Sequence, residues 1–150
     1  MPEKEEILNF WFKECKPEQW FKKKEDFDQM IENRFSDAIE DAIAGKLDNW
    51  EDTETGCLAL ILLLDQFTRN VFRDTPRAFA GDKRALALSQ LCCDKDYLAN
   101  PDIHRRHFML MPMMHSENLA VQDAALPLFK KYASEKDYEY AEKHHEIIAR

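Results

Sequence analysis

A group of polar side chains interrupts the most apolar stretch of the sequence, where Leu62-Leu63-Leu64 is followed at once by Asp65-Gln66-Phe67-Thr68-Arg69-Asn70. Residues four apart share a face of a helix, so Asp65 and Arg69 should lie together there. Gln66 and Asn70 form a second row beside them. A buried charge is costly unless it is paired and hydrogen-bonded. These four residues, which we call the polar cluster, therefore predict either a network that ties the helix to its neighbours or the wall of a polar pocket.

The second candidate site lies in Met113-Met114-His115-Ser116-Glu117-Asn118, where Ser116 is the predicted cap of a helix. His115 would then stand just before a helix start, whose positive end disfavours a charged imidazole and favours a neutral base or hydrogen-bond donor. Glu117 is a second group that could transfer a proton there. Gln122 falls on the apolar stripe of the same helix, where its amide needs a partner. The simpler alternative is a histidine that only completes the cap.

The histidines do not form a complete metal motif. Glu142 and His145 make one Glu-x-x-His step, but di-iron bundles need two such steps and two further glutamates. His104 and His107 are one turn apart, yet the two arginines between them would repel a cation. The sequence also has no glycine-rich phosphate loop and no nucleophile elbow. We therefore expect neither a metal nor a cofactor.

Composition and charge limit the class of protein. The chain has 150 residues, of which 45% are hydrophobic, with 21 basic and 29 acidic side chains and a formal net charge of −8. This length predicts one domain, residues 1–150, with a full hydrophobic core. The acidic balance argues against a nucleic-acid partner. The longest apolar run, Cys57 to Leu64, is too short to span a membrane. The acidic N-terminus is unlike a signal peptide, so we expect a cytoplasmic protein with no membrane partner.

Cysteine usage agrees with that expectation. The four cysteines show no Cys-x-x-Cys spacing and lie beside apolar residues in helical patterns; they are Cys15, Cys57, Cys92 and Cys93. The last two are adjacent and point in different directions on a helix, which disfavours a bridge. We expect all four to be reduced thiols of the core.

The pattern of apolar and polar residues predicts helices along the whole sequence. The chain has only three glycines and two valines, and no segment alternates apolar and polar residues for long, so strands are not expected. Periodicity and capping residues predict helices over about residues 3–13, 27–43, 55–72, 76–91, 101–112, 117–129 and 138–150. Pro112 should end the fifth helix and Pro127 should kink the sixth. The predicted fold is an all-α, single-domain array of helices with tetratricopeptide-like packing, although no clean internal repeat is present.

Five separated segments carry a family resemblance. They are Leu8-Asn9-Phe10-Trp11-Phe12, Leu58 to Asn70, Thr75-Pro76-Arg77-Ala78-Phe79-Ala80, Met113-Met114-His115-Ser116-Glu117 and His144-His145-Glu146-Ile147-Ile148. In this order, and over nearly the whole chain, they closely resemble the uncharacterised, mainly bacterial family known as domain of unknown function 924. The resemblance implies an all-helical, tetratricopeptide-like fold and leaves the activity open.

The resemblance also marks individual positions. The polar cluster, the His115-Ser116-Glu117 segment and His144 match the family's signature positions, whereas Thr68 stands where the family usually has proline. Members typically continue past the equivalent of Arg150 with a Phe-Gly-Arg-Phe-Pro-His-Arg-Asn-like stretch, which this sequence lacks. If that stretch contributes to the site of longer members, the site of this sequence is incomplete. The resemblance also implies that His144 is more exposed than in a longer form, and that apolar surface around Ile147 is bare or covered by another copy of the chain.

Two functions follow from these residues. In the first, the chain is a small-molecule binding protein or enzyme with a polar pocket between the central helix and the His115 helix start. Arg69 would hold an anionic group of the ligand. The other ligand-binding candidates are Gln66, Asn70, Gln122 and His144, and the catalytic candidates are His115, Glu117 and Asp65. In the second, the chain is a tetratricopeptide-like module that binds another protein or itself, and the polar cluster is structural.

Overall fold

The computed structural model describes residues 3–150. These residues form helices and no strand, which confirms the predicted all-α fold. They divide into two compact units, the first ending at Ala85 and the second spanning Leu86–Arg150. The α-helices are α1 (Lys4–Asn9), α2 (Pro17–Trp20), α3 (Glu25–Ile43), α4 (Glu54–Ile61), α5 (Thr68–Val71), α6 (Asp82–Asp94), α7 (Ile103–Met114), α8 (Leu119–Tyr132) and α9 (Glu135–Ala149). Two segments are π-helical, Phe10–Glu14 and Leu62–Phe67, and three are 3-10 helices, Asp48–Asp52, Pro76–Phe79 and Tyr97–Ala99.

The central helix of the first unit runs without a break through α4, the second π-helical segment and α5. Thr53 is its N-cap, because its hydroxyl oxygen accepts a hydrogen bond from the Gly56 amide at 3.1 Å. Every residue from Gly56 to Thr68 is buried. The run of leucines predicts such burial on all sides. The polar cluster therefore begins inside the core.

Aromatic rings fill the core of the first unit where its two π-helical segments meet. Phe10 and Trp11 belong to the first segment, and their ring centroids lie 6.1 and 5.4 Å from that of Phe67 in the second. Phe35 of α3 lies 5.3 Å from the same ring. Because these rings pack together, the two π-helical segments contact each other through the apolar core.

In the second unit, α7 is buried at every residue from His107 to Met114. Asp102 caps this helix, since its carboxylate accepts hydrogen bonds from two amides of the first turn at 2.9 and 3.4 Å. The helix passes through Pro112 and ends at Met114. Pro112 has no amide hydrogen to donate to the main-chain oxygen of Phe108, so one helical hydrogen bond is missing there, and the helix ends two residues later. The observed end is close to the predicted one.

The start of α8 differs from the predicted start. Asn118 is the N-cap, because its Oδ1 accepts hydrogen bonds from the amides of Ala120 and Val121 at 2.9 and 3.3 Å. Ser116, the predicted cap, accepts a hydrogen bond from the Asn118 amide at 3.1 Å instead. The helix continues as one element through Pro127. α9 packs against α8 and α7 and begins at Glu135, a few residues before its predicted start.

Within the described part of the chain, no helix has both the length and the apolar character needed to cross a membrane. The four cysteines, all of which lie in that part, form no disulfide. Three of them are buried, and Cys93 is half-buried.

We expect the Cys15 thiol to react slowly with alkylating reagents. Burial, reinforced by the negative charge of Glu14, raises its pKa from 9.0 to about 12. At pH 8 the thiolate is therefore about 1000-fold scarcer than in the unfolded chain. Because the folded pKa is the higher one, the contribution of this group to the free energy of unfolding is complete below pH 9.0 and is lost as the pH rises through about 12.

Iodoacetamide labelling at pH about 8, followed by mass spectrometry of the Cys15 peptide, measures this effect. The chain unfolded in urea is the control, because there the thiol is solvated. Similar labelling rates in the folded and unfolded chains would contradict a buried, protonated thiol.

Candidate functional site

Arg69 is bound by two carboxylates of the first unit. Its Nη1 donates a hydrogen bond to the main-chain oxygen of Asp65 at 2.7 Å and lies 3.3 Å from Oδ1 of the same residue. Nη1 and Nη2 also donate to Oδ1 and Oδ2 of Asp82 at 2.8 and 3.0 Å, a bidentate pair. Asp65 is 0% exposed, so the carboxylate of this ion pair is buried. The guanidinium is therefore occupied by groups of its own chain.

Asp82 was not among the candidates from the sequence, and Gly81 explains how it reaches Arg69. A Cβ atom at Gly81 would lie 2.4 Å from the main-chain oxygen of Leu64 and 2.7 Å from its Cβ. Only glycine permits so close an approach of the start of α6 to the central helix. Asp82 is the first residue of α6, where the helix N-terminus stabilises a carboxylate. A glycine directly before an aspartate, Gly81-Asp82, is the feature of the sequence that could have indicated this contact.

The other two members of the polar cluster also have partners in the first unit. Gln66 donates from Nε2 to Oδ2 of Asp65 at 2.8 Å. Asn70 donates from Nδ2 to Oδ1 of Asp28 at 2.9 Å, and Arg73 binds both oxygens of the same carboxylate at 2.9 and 3.2 Å. The hydrogen bond to Asp28 raises the pKa of Arg73. Asp28 thus ties α3 to the end of the central helix.

An exposed aromatic ring lies on Arg69. The guanidinium carbon of Arg69 is 5.4 Å from the centroid of Phe79, and Phe79 is 61% exposed. A cation near the face of a ring is attracted to it. The same arginine that pairs with buried Asp65 therefore supports an apolar side chain at the surface.

His115 is the C-cap of α7, not the residue before a helix start, and the predicted position is wrong in this respect. Its amide donates to the main-chain oxygen of Met111 at 3.1 Å, and its side chain is half-buried. A helix C-terminus attracts positive charge, so the electrostatic argument for a neutral imidazole no longer applies. Glu117 lies in the linker that follows and is exposed. Proton transfer by either residue stays a prediction.

The Gln122 amide is bound by the main chain. Its Nε2 donates to the oxygens of Met114 and Ser116 at 2.8 and 2.7 Å, and the Met113 oxygen lies 3.5 Å away. These carbonyl groups are at or just beyond the C-terminus of α7, where a helix leaves its last acceptors unpaired. The side chain is 1% exposed. The partner that Gln122 needed is therefore the end of the preceding helix.

The histidines of α9 form local contacts. Nδ1 of His144 lies 2.9 Å from the main-chain oxygen of Tyr140, and Nε2 of His145 lies 2.6 Å from Oδ1 of Asp123 on α8. Ile147, on the same helix, is 64% exposed. Among residues 3–150, no three His, Cys, Asp or Glu side chains are grouped so that they could hold a metal ion.

The predicted site residues are divided between the two units. The first unit holds Asp65, Gln66, Arg69 and Asn70, and the second holds His115, Glu117, Gln122 and His144. Within the first unit, Asp65 contacts both Gln66 and Arg69, while Asn70 joins the neighbouring Asp28 group. The pocket predicted between the central helix and His115 stays a prediction.

Comparisons with known proteins agree with this fold. The model of a family described as bacterial protein of unknown function (DUF924) matches residues 7–150. A solved structure of a protein of unknown function from Agrobacterium tumefaciens is similar, with a TM-score of 0.92 and 33% sequence identity. The match covers 98% of this chain and 82% of that chain. No curated protein matches the sequence.

Proposed function

The chain belongs to the DUF924 family of bacterial proteins of unknown function, and from this premise we propose that it is a helical protein-interaction module whose polar cluster is structural. Family membership supplies a fold and no activity, so the proposal depends on the geometry of the side chains. A tetratricopeptide-like use of the helices and a cytoplasmic location are parts of the same proposal.

The observation that carries the proposal is the occupation of Arg69. Its two terminal nitrogens already donate to both oxygens of Asp82, and Nη1 is shared with Asp65. An anionic ligand would have to displace Asp82, and it would meet the negative charge of both aspartates. One guanidinium facing two carboxylates leaves this group with an excess of negative charge, which disfavours the predicted anion. Arg69 therefore suits a structural role better than a ligand-binding one.

The link from this network to a partner is Phe79. Its ring is 61% exposed and rests on the Arg69 guanidinium, which is itself held by Asp82. Aromatic side chains that are fixed before binding lose little conformational freedom on association, and they dominate protein interfaces. In this proposal, the polar cluster holds Phe79 in place for a binding partner.

The second candidate function is a small-molecule binding protein or enzyme, as first predicted. The observation in its favour is the π-helical segment Leu62–Phe67, which contains Asp65 and Gln66. π-Helical turns are rare in proteins as a whole, and many of those that occur are found at functional sites. In this alternative, the widened turn presents the Asp65 carboxylate to a ligand.

A thermal-shift screen against a panel of metabolites separates the two functions. A ligand that binds only the folded chain raises the free energy of unfolding by RT ln(1 + [L]/Kd), and the melting temperature rises with it. We expect no metabolite to stabilise the wild-type chain through position 69, and we expect Arg69→Lys to melt at a lower temperature because it loses the bidentate geometry. The proposal is wrong if a metabolite stabilises the wild type but not Arg69→Lys while the two unliganded proteins melt at the same temperature.

A further inference from the structure

We propose that the partner of this module presents an acidic segment, which docks on residues 21–24 and 72–79 of the first unit. We call these two segments the basic face. The inference rests on the proposed function, because it names the chemistry of the partner that meets Phe79.

The two segments of the basic face meet at one ion pair. Nζ of Lys23 is 3.5 Å from Oδ2 of Asp74, which joins one segment to the other. Just beyond them, the Asp28 carboxylate binds Arg73. Each segment also presents an exposed ring, since Phe21 is 59% and Phe79 is 61% exposed. The face thus combines apolar and cationic side chains.

The charged side chains of the basic face indicate the chemistry of the partner. The basic face holds five basic side chains and one acidic one, in a chain whose net charge is −8. Three of the cations are paired, Lys23 with Asp74, Arg73 with Asp28 and Arg77 with Glu40. Lys22 and Lys24 are exposed and form no ion pair within residues 3–150. Glu25 and Asp26 follow them, but they occupy the first turn of α3, where the helix N-terminus stabilises their charge. Two lysines are therefore available to carboxylates of another molecule.

The second segment has a fixed conformation. The amide and the hydroxyl of Thr75 both donate to the main-chain oxygen of Phe72, at 3.0 and 2.7 Å. The Arg77 guanidinium lies over the Phe72 ring at 4.4 Å. Asp74 closes the turn with a φ of 66°, a left-handed conformation that aspartate adopts more readily than most residues. A surface that is ordered before binding loses less entropy when a partner docks.

The charge of the rest of the chain favours a short protein segment over an anionic membrane. Counted with Asp28 and Glu40, the carboxylates that pair with Arg73 and Arg77, the basic face has a net charge of +2, which leaves −10 on the other residues. Screening limits electrostatic interactions to about 8 Å at physiological ionic strength, so a short peptide on the face interacts mainly with its lysines. A membrane is a plane and would also meet the acidic surface around the face. An acidic segment with apolar side chains matches the chemistry of the exposed lysines and of the exposed rings.

The test is fluorescence anisotropy with a short, fluorescein-labelled peptide of glutamate and leucine, compared with the same peptide carrying glutamine in place of glutamate. We expect the glutamate peptide to bind the wild-type chain more weakly as salt is added. Lys22→Glu/Lys24→Glu should weaken that binding by about tenfold or more. The matched control is Lys130→Glu/Lys131→Glu, which reverses two exposed lysines of α8 and should leave the affinity unchanged. Circular dichroism melts establish that both variants fold.

The remaining outcomes distinguish this inference from the proposed function. If both peptides bind equally and Phe79→Ser abolishes binding, the module is supported and the acidic partner is wrong. If the glutamate peptide does not bind, or if both lysine variants weaken it equally, the inference is wrong and the metabolite screen still decides the proposed function. If vesicles containing phosphatidylglycerol bind the wild type and the peptide does not, the basic face takes lipid and the inference is also wrong.

Discussion

Replacing Arg69 by alanine is expected to lower the free energy of unfolding by about 3–5 kcal/mol, because the change removes one partner of a buried ion pair. The side chain of Asp65 is 1% exposed, and that of Arg69 is 24% exposed. Without the guanidinium, the Asp65 carboxylate stays in the core with Gln66 as a neutral donor. Asp82 would lose both hydrogen bonds from Arg69 as well. A loss of this size is a large part of the stability of a single domain, which is about 5–15 kcal/mol.

Urea unfolding followed by circular dichroism measures the loss, and Arg77→Ala is the matched control. Arg77 also pairs with one carboxylate, that of Glu40, but the two side chains are 50% and 52% exposed. Exposed pairs contribute little to stability, so this control should unfold at nearly the wild-type urea concentration. If Arg69→Ala is as stable as Arg77→Ala, the polar cluster is not a structural network, and the small-molecule site becomes the better function.

The pattern of the sequence predicts the central helix and its burial well. Leu62, Leu63 and Leu64 leave no polar side at that point, which is typical of a helix surrounded by other helices. The pattern does not predict the π-helical turn that contains Asp65. In the structure this segment packs through Phe67 against Phe10, Trp11 and Phe35, which come from distant parts of the chain, and local periodicity carries no information on such contacts.

The position of His115 shows how capping residues can mislead. Ser116 and Asn118 are both strong N-caps, and they stand only two positions apart. The structure uses Asn118, whose side chain accepts hydrogen bonds from two amides of α8. This choice leaves His115 as the C-cap of α7, so the expected position just before a helix start is lost.

The pairing of Arg69 with Asp82 also could not be predicted from the sequence pattern. Spacing by four residues identifies Asp65, but Asp82 is 13 positions away and belongs to another helix. Thr75-Pro76 predicted a helix from residue 76 onward, which would have placed Asp82 in mid-helix. In the structure, Thr75-Pro76 precedes a short 3-10 helix, Pro76–Phe79, and α6 is a separate helix that begins at Asp82. The glycine between these two elements determines where the carboxylate lies.

Gly81→Ala should therefore be as damaging as a change in the network itself, with an expected loss of about 3 kcal/mol or more. Over-packed sites commonly cost about 1–3 kcal/mol, and here the added methyl would meet main-chain as well as side-chain atoms of Leu64. A main-chain oxygen at 2.4 Å cannot rotate away, so the start of α6 must move. That movement would draw Asp82 away from Arg69.

Gly45→Ala is the control for a general effect of removing glycine. Gly45 has a φ of +82°, and its nearest neighbour, an oxygen of the Asp48 side chain, would lie 3.4 Å from the new atom. A left-handed alanine costs about 1–2 kcal/mol, so this variant should lose less stability than Gly81→Ala. A double-mutant cycle with Asp82→Asn then tests the mechanism, because changes in one network are not additive. If Gly81 serves to place Asp82, the double variant loses less than the two single variants together. Additive losses would mean that the glycine only relieves crowding against Leu64 and has no part in holding Arg69.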